Sequence, residues 1–275
     1  MLFKKTAVIG HPVDHSLSPT IHNYWIKNLA LNIANYKKIE VHPNRFSDEI
    51  DNLIDQGYYG LNVTVPLKEL AYKKADKLSD VSKATKAVNT LVFKNGQIFG
   101  TNTDSVGFES SLAKNIIENK IKNKKCLVLG AGGSARSIIY ALDKMSGKIS
   151  AYNRTEEKVA LLKKEMKINV ENLNATEINK KLEEFSFIVN TTSMGLSSGP
   201  QNDLVDFSNA TKNCFVYDLI YKPKETGFMK QAQANGLSTQ NGLNMLIGQA
   251  AASFYIWHGV NPEVSIDLIQ KLATD

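Results

Sequence analysis

A glycine-rich turn in the middle of the chain carries residues suited to binding phosphate groups. An apolar run at 125–129 predicts a strand leading into the turn, and a helical pattern at 137–145 follows it. Glycine allows a tight turn and the close approach of a pyrophosphate, and a helix N-terminus supplies N–H donors. The context predicts a dinucleotide site, the alternative being a tight turn without a ligand. The residues assigned to it are Gly130, Ala131, Gly132, Gly133, Ser134 and Ala135.

The end of the next predicted strand, 148–153, bears on which dinucleotide is bound. NAD sites usually place an Asp or Glu there to bond the ribose 2′-hydroxyl. Here the positions are Asn153, Arg154 and Thr155, with Lys158 one helical turn later. A guanidinium offers forked donors to a 2′-phosphate, and the lysine adds positive charge. The pattern favours NADP over NAD, and the alternative is a surface arginine that only caps the strand.

Two serines near the start of the chain could bind an anion. Ser16 and Ser18 lie just before a predicted helix N-terminus, where N–H donors and the helix dipole favour a group such as a carboxylate. Capping by Ser18, with Pro19 as the first helical residue, would explain Ser18 alone. Anion binding and helix capping therefore both stay open from this segment.

Further polar residues follow predicted strands in the first 104 residues. Asn62 and Thr64 alternate along one strand and so share a face, and Lys68 lies just beyond it. The plain interpretation is an edge strand followed by a solvated lysine. Asn89 and Asp104 add an amide and a carboxylate near other strand ends. None of these positions indicates a function when it is taken singly.

The elements that must position these residues are read from hydrophobic periodicity. Short β-branched runs alternate with helical patterns, which predicts an α/β fold with parallel βαβ units. Asn95-Gly96 predicts a type I′ hairpin turn. The predicted strands are 6–10, 34–41, 60–65, 88–94, 97–100, 126–130, 148–153, 186–190, 214–219 and 237–240. The predicted helices begin at Ser18 and near Gly242 and otherwise cover 46–56, 67–78, 105–119 and 137–145.

Composition excludes some functions and predicts a compartment. The chain has 275 residues and a net charge of +6, with lysines spread over helix faces, so nucleic-acid binding is not expected. No apolar run is long enough for a membrane helix, and a signal peptide is not expected, because residues 1–5 show no signal-peptide apolar region before the first predicted strand. Cys126 and Cys214 lie in apolar runs, which predicts buried free thiols and a cytoplasmic protein. No metal site is expected.

Taken together, the motifs resemble those of the shikimate dehydrogenase family from Val8 to the final helix. The segments that carry the resemblance, in the family's order and spacing, are VIGHPVDHSLSP, GLNVTVPLK, AVNTL, TNTD, LGAGGSAR, NRT, NTTSMG, YDLIYKPKETGF and NGLNMLIGQAAASF. Nine ordered segments over nearly the whole chain make chance similarity very improbable. The resemblance implies NADPH-dependent reduction of 3-dehydroshikimate to shikimate, a step of aromatic amino-acid and chorismate biosynthesis.

The resemblance also implies a domain organisation and residue roles. Residues 1–104, completed by helices in 242–275, would form the substrate domain, and 105–241 a Rossmann-type NADP-binding domain. Ser16 and Ser18, assisted by Tyr221, would hold the substrate carboxylate, and Lys68 and Asp104 would form the catalytic pair. The ring hydroxyls would be bound by Asn62, Thr64, Asn89, Asp104 and Gln249. Thr191, Met194 and Gly242 join the residues expected at the cofactor. The protein would be a monomer or a homodimer.

The chemistry of ketone reduction fits the proposed pair. Hydride addition builds negative charge on the ketone oxygen, so a nearby ammonium stabilises it and can donate a proton. A water or a bound hydroxyl could instead relay the proton. A carboxylate within hydrogen-bonding range would orient the lysine and accept a substrate hydroxyl.

Three positions depart from the family pattern. Lys86 and Ser105 replace common glycines, which is expected to alter the backbone near Asn89 and Asp104 and to weaken or broaden substrate binding. Lys158 replaces a frequent arginine, so discrimination for the 2′-phosphate is expected to be milder. Two alternatives remain: a quinate/shikimate dehydrogenase with broader substrate or NAD use, and a non-catalytic ligand-binding paralogue. The second would be expected to lose Lys68 or Asp104, and both are present.

Overall fold

The computed structural model describes residues 4–194 and 204–274. The strands are β1 Lys5–Gly10, β2 Lys37–Glu40, β3 Tyr58–Val63, β4 Lys77–Leu78, β5 Thr90–Lys94, β6 Gln97–Thr101, β7 Lys125–Leu129, β8 Lys148–Tyr152, β9 Val170–Asn172, β10 Phe185–Asn190, β11 Phe215–Asp218 and β12 Ser238–Asn241. The helices are α1 Ser18–Asn28, α2 Phe46–Asp55, α3 Lys68–Lys74, α4 Asp80–Thr85, α5 Asp104–Ser111, α6 Lys114–Ile116, α7 Gly133–Lys144, α8 Glu156–Met166, α9 Ala175–Lys180, α10 Gly227–Ala234, α11 Leu243–His258 and α12 Ile266–Thr274.

The first of two compact units combines Met1–Gly107 with Ile247–Asp275. Its sheet has the strand order β2-β1-β3-β5-β6-β4, with β1 parallel to β2 and β3, and β5 antiparallel to β3 and β6. The returning chain packs deep in this unit. A Cβ on Gly60 would lie 2.2 Å from the indole nitrogen of Trp257, so only glycine leaves room for that ring. The same nitrogen donates to the Leu91 carbonyl at 3.0 Å.

The second unit, Phe108–Leu246, has a parallel sheet of order β12-β11-β10-β7-β8-β9. This is the order of a Rossmann-type doubly wound sheet, in which the strand order reverses between β7 and β10 while all strands stay parallel. Side chains alternate along β7, and its two faces pack into different apolar clusters. Cys126 and Val128 belong to one cluster, Leu127 and Leu129 to the other. The sheet is thus covered on both faces, as parallel sheets require, and the α/β fold class is confirmed.

Both cysteines are free and buried, which confirms the expectation from composition. Burial raises the pKa of the Cys126 and Cys214 thiols to about 12. Neither thiol is therefore set up as a nucleophile at neutral pH. The hairpin prediction is also confirmed, because Asn95 and Gly96 both have positive φ and Lys94 pairs with Gln97.

Several predicted boundaries are wrong, and each error has a tertiary cause. The strand predicted at 34–41 pairs only over Lys37–Glu40 because the backbone of Tyr36 is bonded instead to the Asn23 side chain. The helix predicted at 67–78 ends at Lys74. Its last residues form β4 beside β6, and the Asp76 carboxylate accepts from the Ile98 N–H at 2.7 Å.

The prediction of one continuous helix over 105–119 is also wrong, because α5 ends at Ser111 and the backbone of Ala113 is extended. The Ser111 hydroxyl bonds the Phe108 carbonyl at 2.6 Å and the Tyr217 hydroxyl at 2.9 Å. A serine that bonds the preceding turn competes with helix continuation. The chain then passes through α6 into a π-helical turn, Ile117–Ile121.

Exchanging Lys167 for glycine is expected to stabilise the protein. Lys167 ends α8 with φ +56°, in the left-handed region where a Cβ is strained and glycine is not. Glycine relieves that strain but also gives the unfolded chain more conformational entropy, which offsets part of the gain. The net effect is expected to raise the unfolding free energy by about 0.5–1 kcal/mol. Chemical denaturation measures it. Lys163→Gly, inside the same helix, is the control and should lower stability by about 1 kcal/mol; a loss in both variants would contradict the strain argument.

Candidate functional site

The glycine turn joins β7 to α7 in the second unit. Gly130 has φ +115°, and a Cβ there would lie 2.3 Å from the Thr191 hydroxyl oxygen. Its N–H donates to the Tyr152 carbonyl at 2.7 Å. Glycine is therefore required at this position both by backbone conformation and by the close approach of the chain after β10.

Gly132 has no such internal reason to be glycine. Its φ of −85° suits any residue, and a Cβ on it would meet nothing within 4 Å among the described residues. It is the N-cap of α7, a helix of 12 residues whose N-terminus has no side-chain cap. The absence of a side chain leaves open space directly over N–H donors and the positive end of the helix dipole. The turn thus fits a bound phosphate group. Ala135 is fully buried against the strand, as a small residue must be there.

The end of β8 presents a cationic surface. Asn153 is half-buried and donates to the Thr155 carbonyl at 2.9 Å, whereas Arg154, Thr155 and Lys158 are exposed. The acidic residues begin only at Glu156, in the first turn of α8. No carboxylate therefore follows β8 before Glu156, and Asn153 and Arg154 stand at the strand end, where NAD sites usually carry one.

The carboxyl ends of β10 and β11 form a network that includes Thr191 and Met194. Thr191 donates through N–H and hydroxyl to the Leu129 carbonyl, at 2.9 and 2.7 Å. Met194 is buried, and its carbonyl accepts from the Asn190 amide at 2.9 Å. The rest of the NTTSMG motif, Gly195, lies outside the described residues.

Asn190 and Asp218 end β10 and β11 and belong to two of the family-like motifs, although the sequence pattern alone did not mark them as functional residues. Asp218 accepts from Asn190 at 3.1 Å and from the Thr226 hydroxyl at 2.6 Å. Burial raises the pKa of Asp218 to about 6, against the lowering effect of these donors. The pair fixes the ends of the two strands. Beyond them, Tyr221 is half-buried.

Gly242 lies where the second unit leads into α11. A Cβ on it would lie 2.0 Å from the Leu219 carbonyl oxygen, so glycine is required by packing within the unit. Its N–H donates to the Ile220 carbonyl at 3.2 Å. The structure therefore explains this glycine without reference to a cofactor.

In the first unit, Lys68 and Asp104 form a buried ion pair. The Lys68 Nζ lies 2.6 Å from the Asp104 Oδ2, and their side chains are 9% and 6% exposed. Each residue begins a helix, α3 and α5 respectively. The Asp104 N–H donates to the Asn102 side chain at 3.0 Å, which anchors the start of α5. Burying a charged pair costs free energy unless the remaining carboxylate oxygens and ammonium protons are also hydrogen-bonded.

Asn89 completes the surroundings of the pair. Its Nδ2 donates to the Asp104 Oδ1 at 2.8 Å, to the Thr103 hydroxyl at 2.9 Å and, more weakly, to the Gln249 Oε1 at 3.4 Å. The strand ends, α5 and the returning helix α11 thus bring four predicted site residues into one network: Lys68, Asn89, Asp104 and Gln249.

Ser16 and Ser18 lie at the N-terminus of α1, but the capping prediction for Ser18 is wrong. The helix begins at Ser18, its N-cap is Leu17, and no side chain caps it by the usual bond. The helix begins one residue earlier than expected, and the Ser18 N–H donates to the Ser16 hydroxyl at 3.3 Å. Ser18 is buried and Ser16 half-buried.

Asn62 and Thr64 differ in what they can offer a ligand. The Asn62 Nδ2 donates to the Asn89 carbonyl at 3.2 Å, the Thr90 hydroxyl at 3.2 Å and the Ser253 hydroxyl at 3.0 Å. Its Oδ1 accepts from the Tyr36 hydroxyl at 2.8 Å. Both ends of this amide are thus engaged with the protein. Thr64 is half-buried just beyond β3.

Lys86 and Ser105, which replace common glycines of the family, lie at the end of α4 and in the first turn of α5. Lys86 ends α4 with φ +56°, the left-handed conformation that glycine adopts most readily. Its ammonium lies 3.1 Å from the Tyr72 hydroxyl. Ser105 is buried in the first turn of α5. The lysine itself thus adopts the left-handed conformation, and its expected effect on substrate binding stays a prediction.

His22 is expected to make stability fall in acid. Its ring is buried and stacks on Tyr36 with centroids 4.1 Å apart, and burial, then nearby His258, lowers the pKa of His22 from 6.5 to about 3. The unfolded chain, in which the histidine has its ordinary pKa, binds this proton more readily than the folded protein. The free energy of unfolding is therefore expected to fall as the pH drops below 6.5 toward 3, by up to about 1.4 kcal/mol per pH unit. Urea unfolding between pH 7 and pH 4, about the range of this titration, measures the loss.

His22→Phe keeps a stacked ring and removes the proton site, so its stability should depend less steeply on pH. His258, whose pKa is lowered to about 4, and Asp218, whose raised pKa acts in the opposite direction, titrate in both proteins. The difference between variant and wild type therefore reports His22 together with its coupling to nearby His258. The exposed His15→Gln is the control; equal pH slopes for His22→Phe and wild type would contradict the prediction.

The fold and these side chains define a class, the two-domain dehydrogenases with a Rossmann-type nucleotide-binding domain. Family models agree: the shikimate dehydrogenase substrate-binding domain matches residues 8–91, the shikimate/quinate 5-dehydrogenase model 111–223, and the shikimate 5′-dehydrogenase C-terminal domain 242–267. The chain belongs to the shikimate dehydrogenase family.

Individual relatives match over nearly the full length. The shikimate dehydrogenase (NADP(+)) of Pelagibacter ubique is 42% identical and covers 98% of this chain and 99% of its own. The shikimate dehydrogenase structure from Aquifex aeolicus superposes with a TM-score of 0.88 at 36% identity, covering 99% and 98% of the two chains. The shikimate 5-dehydrogenase from Thermus thermophilus, in complex with NADP(H) and shikimate, gives 0.84 at 31% identity, covering 100% and 99%.

Within residues 4–194 and 204–274, no helix combines the length and the apolar composition that a membrane span needs. No group of three or more His, Cys, Asp or Glu side chains in that part of the chain is placed to hold a metal ion.

Proposed function

We propose that this protein catalyses the reversible, NADPH-dependent reduction of 3-dehydroshikimate to shikimate in chorismate and aromatic amino-acid biosynthesis. The observation that carries the proposal is the buried ion pair of Lys68 and Asp104, 2.6 Å apart, with the Asn89 amide on the other carboxylate oxygen. The pair lies in a chain of the shikimate dehydrogenase family, and a non-catalytic paralogue would have no reason to bury it.

Lys68 supplies the charge and Asp104 the orientation. As negative charge develops on the ketone oxygen, the Lys68 ammonium stabilises it, and the oxygen gains its proton from Nζ or through a bound water or hydroxyl. The Asp104 carboxylate holds that ammonium in place and accepts a substrate hydroxyl. Asn89 keeps the carboxylate fixed through its 2.8 Å bond, so both groups are positioned before substrate binds.

The remaining residues hold the substrate. Ser16 and Ser18 bind its carboxylate at the N-terminus of α1, where N–H donors favour an anion, and Tyr221 assists. Thr64, Asn89, Asp104 and Gln249 bind ring hydroxyls. Asn62 was expected among them; its bonds to the Asn89 carbonyl and the Thr90 hydroxyl favour a supporting role behind Asn89.

NADP(H) is the proposed cofactor, and what it supplies when bound is the hydride for the ketone carbon. Its pyrophosphate would be held by the N–H groups of the turn from Gly130 to Ala135 and the open face of Gly132. Arg154 and Lys158 would bind the 2′-phosphate, with Asn153 and Thr155 beside them. Thr191, Met194 and Gly242 line the edge of the sheet expected to hold the nicotinamide end.

We further propose that the enzyme works in the cytoplasm as a monomer or homodimer, without nucleic-acid or membrane partners. The two buried free thiols support a reducing compartment. The dispersed lysines support an ordinary solvated surface rather than a nucleic-acid interface.

A steady-state assay with two substrates and two cofactors tests the function. Turnover with shikimate and NADP⁺ should exceed that with quinate or with NAD⁺. Strong activity with quinate and NAD⁺ would favour the broader quinate/shikimate dehydrogenase. No turnover of either substrate with either cofactor would favour the non-catalytic paralogue.

A further inference from the structure

Asp104 stands at the end of an ordered series of hydrogen bonds inside the first unit. The Asn89 Nδ2 donates to the Asp104 Oδ1 at 2.8 Å, while the Asn89 Oδ1 accepts from the Thr90 hydroxyl at 2.9 Å. The Thr90 hydroxyl in turn accepts from the Asn62 Nδ2 at 3.2 Å. All four residues are at most 5% exposed, so water does not compete for these bonds.

The series begins at Tyr36. Its hydroxyl donates to the Asn62 Oδ1 at 2.8 Å, which turns the Asn62 Nδ2 toward Thr90 and the Asn89 carbonyl. A reversed Asn62 amide would set two oxygens against each other at the Asn89 carbonyl. From Tyr36 to Asp104 every group thus donates in the same direction, and such bonds strengthen one another by polarisation.

Tyr36 is itself held from two sides. Its N–H and carbonyl pair with the Asn23 side chain at 2.7 and 2.9 Å. Its ring stacks on His22 at 4.1 Å with an interplanar angle of 4°. Burial raises the pKa of Tyr36 well above 10.0, so the hydroxyl stays a donor. The hydroxyl is thus presented to Asn62 in one fixed position.

We propose that Tyr36 is a positioning residue of the proposed dehydrogenase reaction, and that it acts on the Lys68–Asp104 pair through Asn62, Thr90 and Asn89. The inference rests on the proposed function. Tyr36 touches neither Lys68 nor Asp104. Its hydroxyl fixes the direction of the hydrogen bonds that hold the Asp104 carboxylate, and with it the lysine that the carboxylate orients.

Tyr36→Phe removes only the hydroxyl and leaves the stacked ring. We expect kcat for shikimate oxidation with NADP⁺ to fall about tenfold, which corresponds to about 1.4 kcal/mol in the barrier, while the KM for shikimate changes less than about threefold. Tyr24→Phe is the matched control, because the Tyr24 hydroxyl bonds Ser265 at 2.6 Å in the same unit, away from the series. Its kcat should stay within about twofold of wild type.

A double-mutant cycle tests whether the effect passes through Asn62. Asn62→Ala breaks the series one step later and should lower kcat at least as much as Tyr36→Phe, with little change in KM. In the Asn62→Ala background, Tyr36→Phe should add nothing, because the acceptor is already gone. Asn62→Ala also tests the series alone if Tyr36→Phe does not fold, which thermal unfolding shows.

The outcomes separate the inference from the function on which it rests. An inactive wild-type protein would overturn the proposed function. An active wild type in which Tyr36→Phe behaves like Tyr24→Phe, raises only KM, or adds its full effect to Asn62→Ala would overturn the role of Tyr36 alone.

Discussion

Replacing Lys68 with alanine is expected to lower kcat for shikimate oxidation by about 10²-fold or more with little change in KM, the scale usual for acid–base groups. The Lys68 ammonium is paired with the buried Asp104 carboxylate at 2.6 Å. Without it, charge on the substrate oxygen has no fixed partner, whereas the groups proposed to bind the carboxylate and hydroxyls are unchanged. Steady-state kinetics at saturating NADP⁺ measures the effect.

The control for this variant lies on the same helix. Lys74 ends α3 and pairs with Asp51 at 2.8 Å on the surface, so Lys74→Ala also removes a lysine from an ion pair. It should leave kcat within about twofold, since surface pairs contribute little. Lys68→Ala also strands a buried carboxylate, so its thermal unfolding must be recorded to confirm that the assayed protein is folded. Near-normal turnover in folded Lys68→Ala would remove Lys68 from the mechanism.

Arg154→Ala is expected to raise the KM for NADP⁺ by about 10- to 100-fold and to change the KM for NAD⁺ much less. Hydrogen bonds to a charged group contribute about 1.5–3 kcal/mol, and only NADP⁺ carries the 2′-phosphate that receives them. Arg154 is exposed at the end of β8, so its removal strands no buried group. Kinetics with each cofactor in turn give the two constants.

Lys164→Ala is the matched control for Arg154→Ala. It removes an exposed cation from α8 in the same unit, so it reports the effect of net charge alone. Its constants for the two cofactors should stay close to those of wild type. Equal losses for NADP⁺ and NAD⁺ in Arg154→Ala would mean that the arginine only stacks on adenine.

Features of this fold that depend on local sequence could be predicted. The turn before α7 is marked by glycines between an apolar strand and a helix, and the structure places it there. The hairpin at Asn95-Gly96 is fixed by two residues that adopt positive φ readily. In both cases the residues that decide the conformation are neighbours in the chain.

Features decided by distant contacts could not be predicted. The end of α5 depends on Ser111 meeting Tyr217, and the late start of β2 on Tyr36 meeting Asn23. The hydrogen bonds proposed to position the Lys68–Asp104 pair likewise join Tyr36, Asn62 and Asn89. Hydrophobic periodicity assigns these three residues to separate elements. In the sequence, Asn62 is only a polar residue on a strand. The folded structure shows that both ends of its amide are hydrogen-bonded within the protein.

The first unit is built from two pieces of chain, with the whole second unit between them. As the chain emerges from a ribosome, Met1–Gly107 and then Phe108–Leu246 appear before Trp257, the side chain that fills the space above Gly60. The proposed substrate site also waits for Gln249. Of the two units, the one whose synthesis begins first is therefore completed last, and its core stays unfilled until Trp257 emerges.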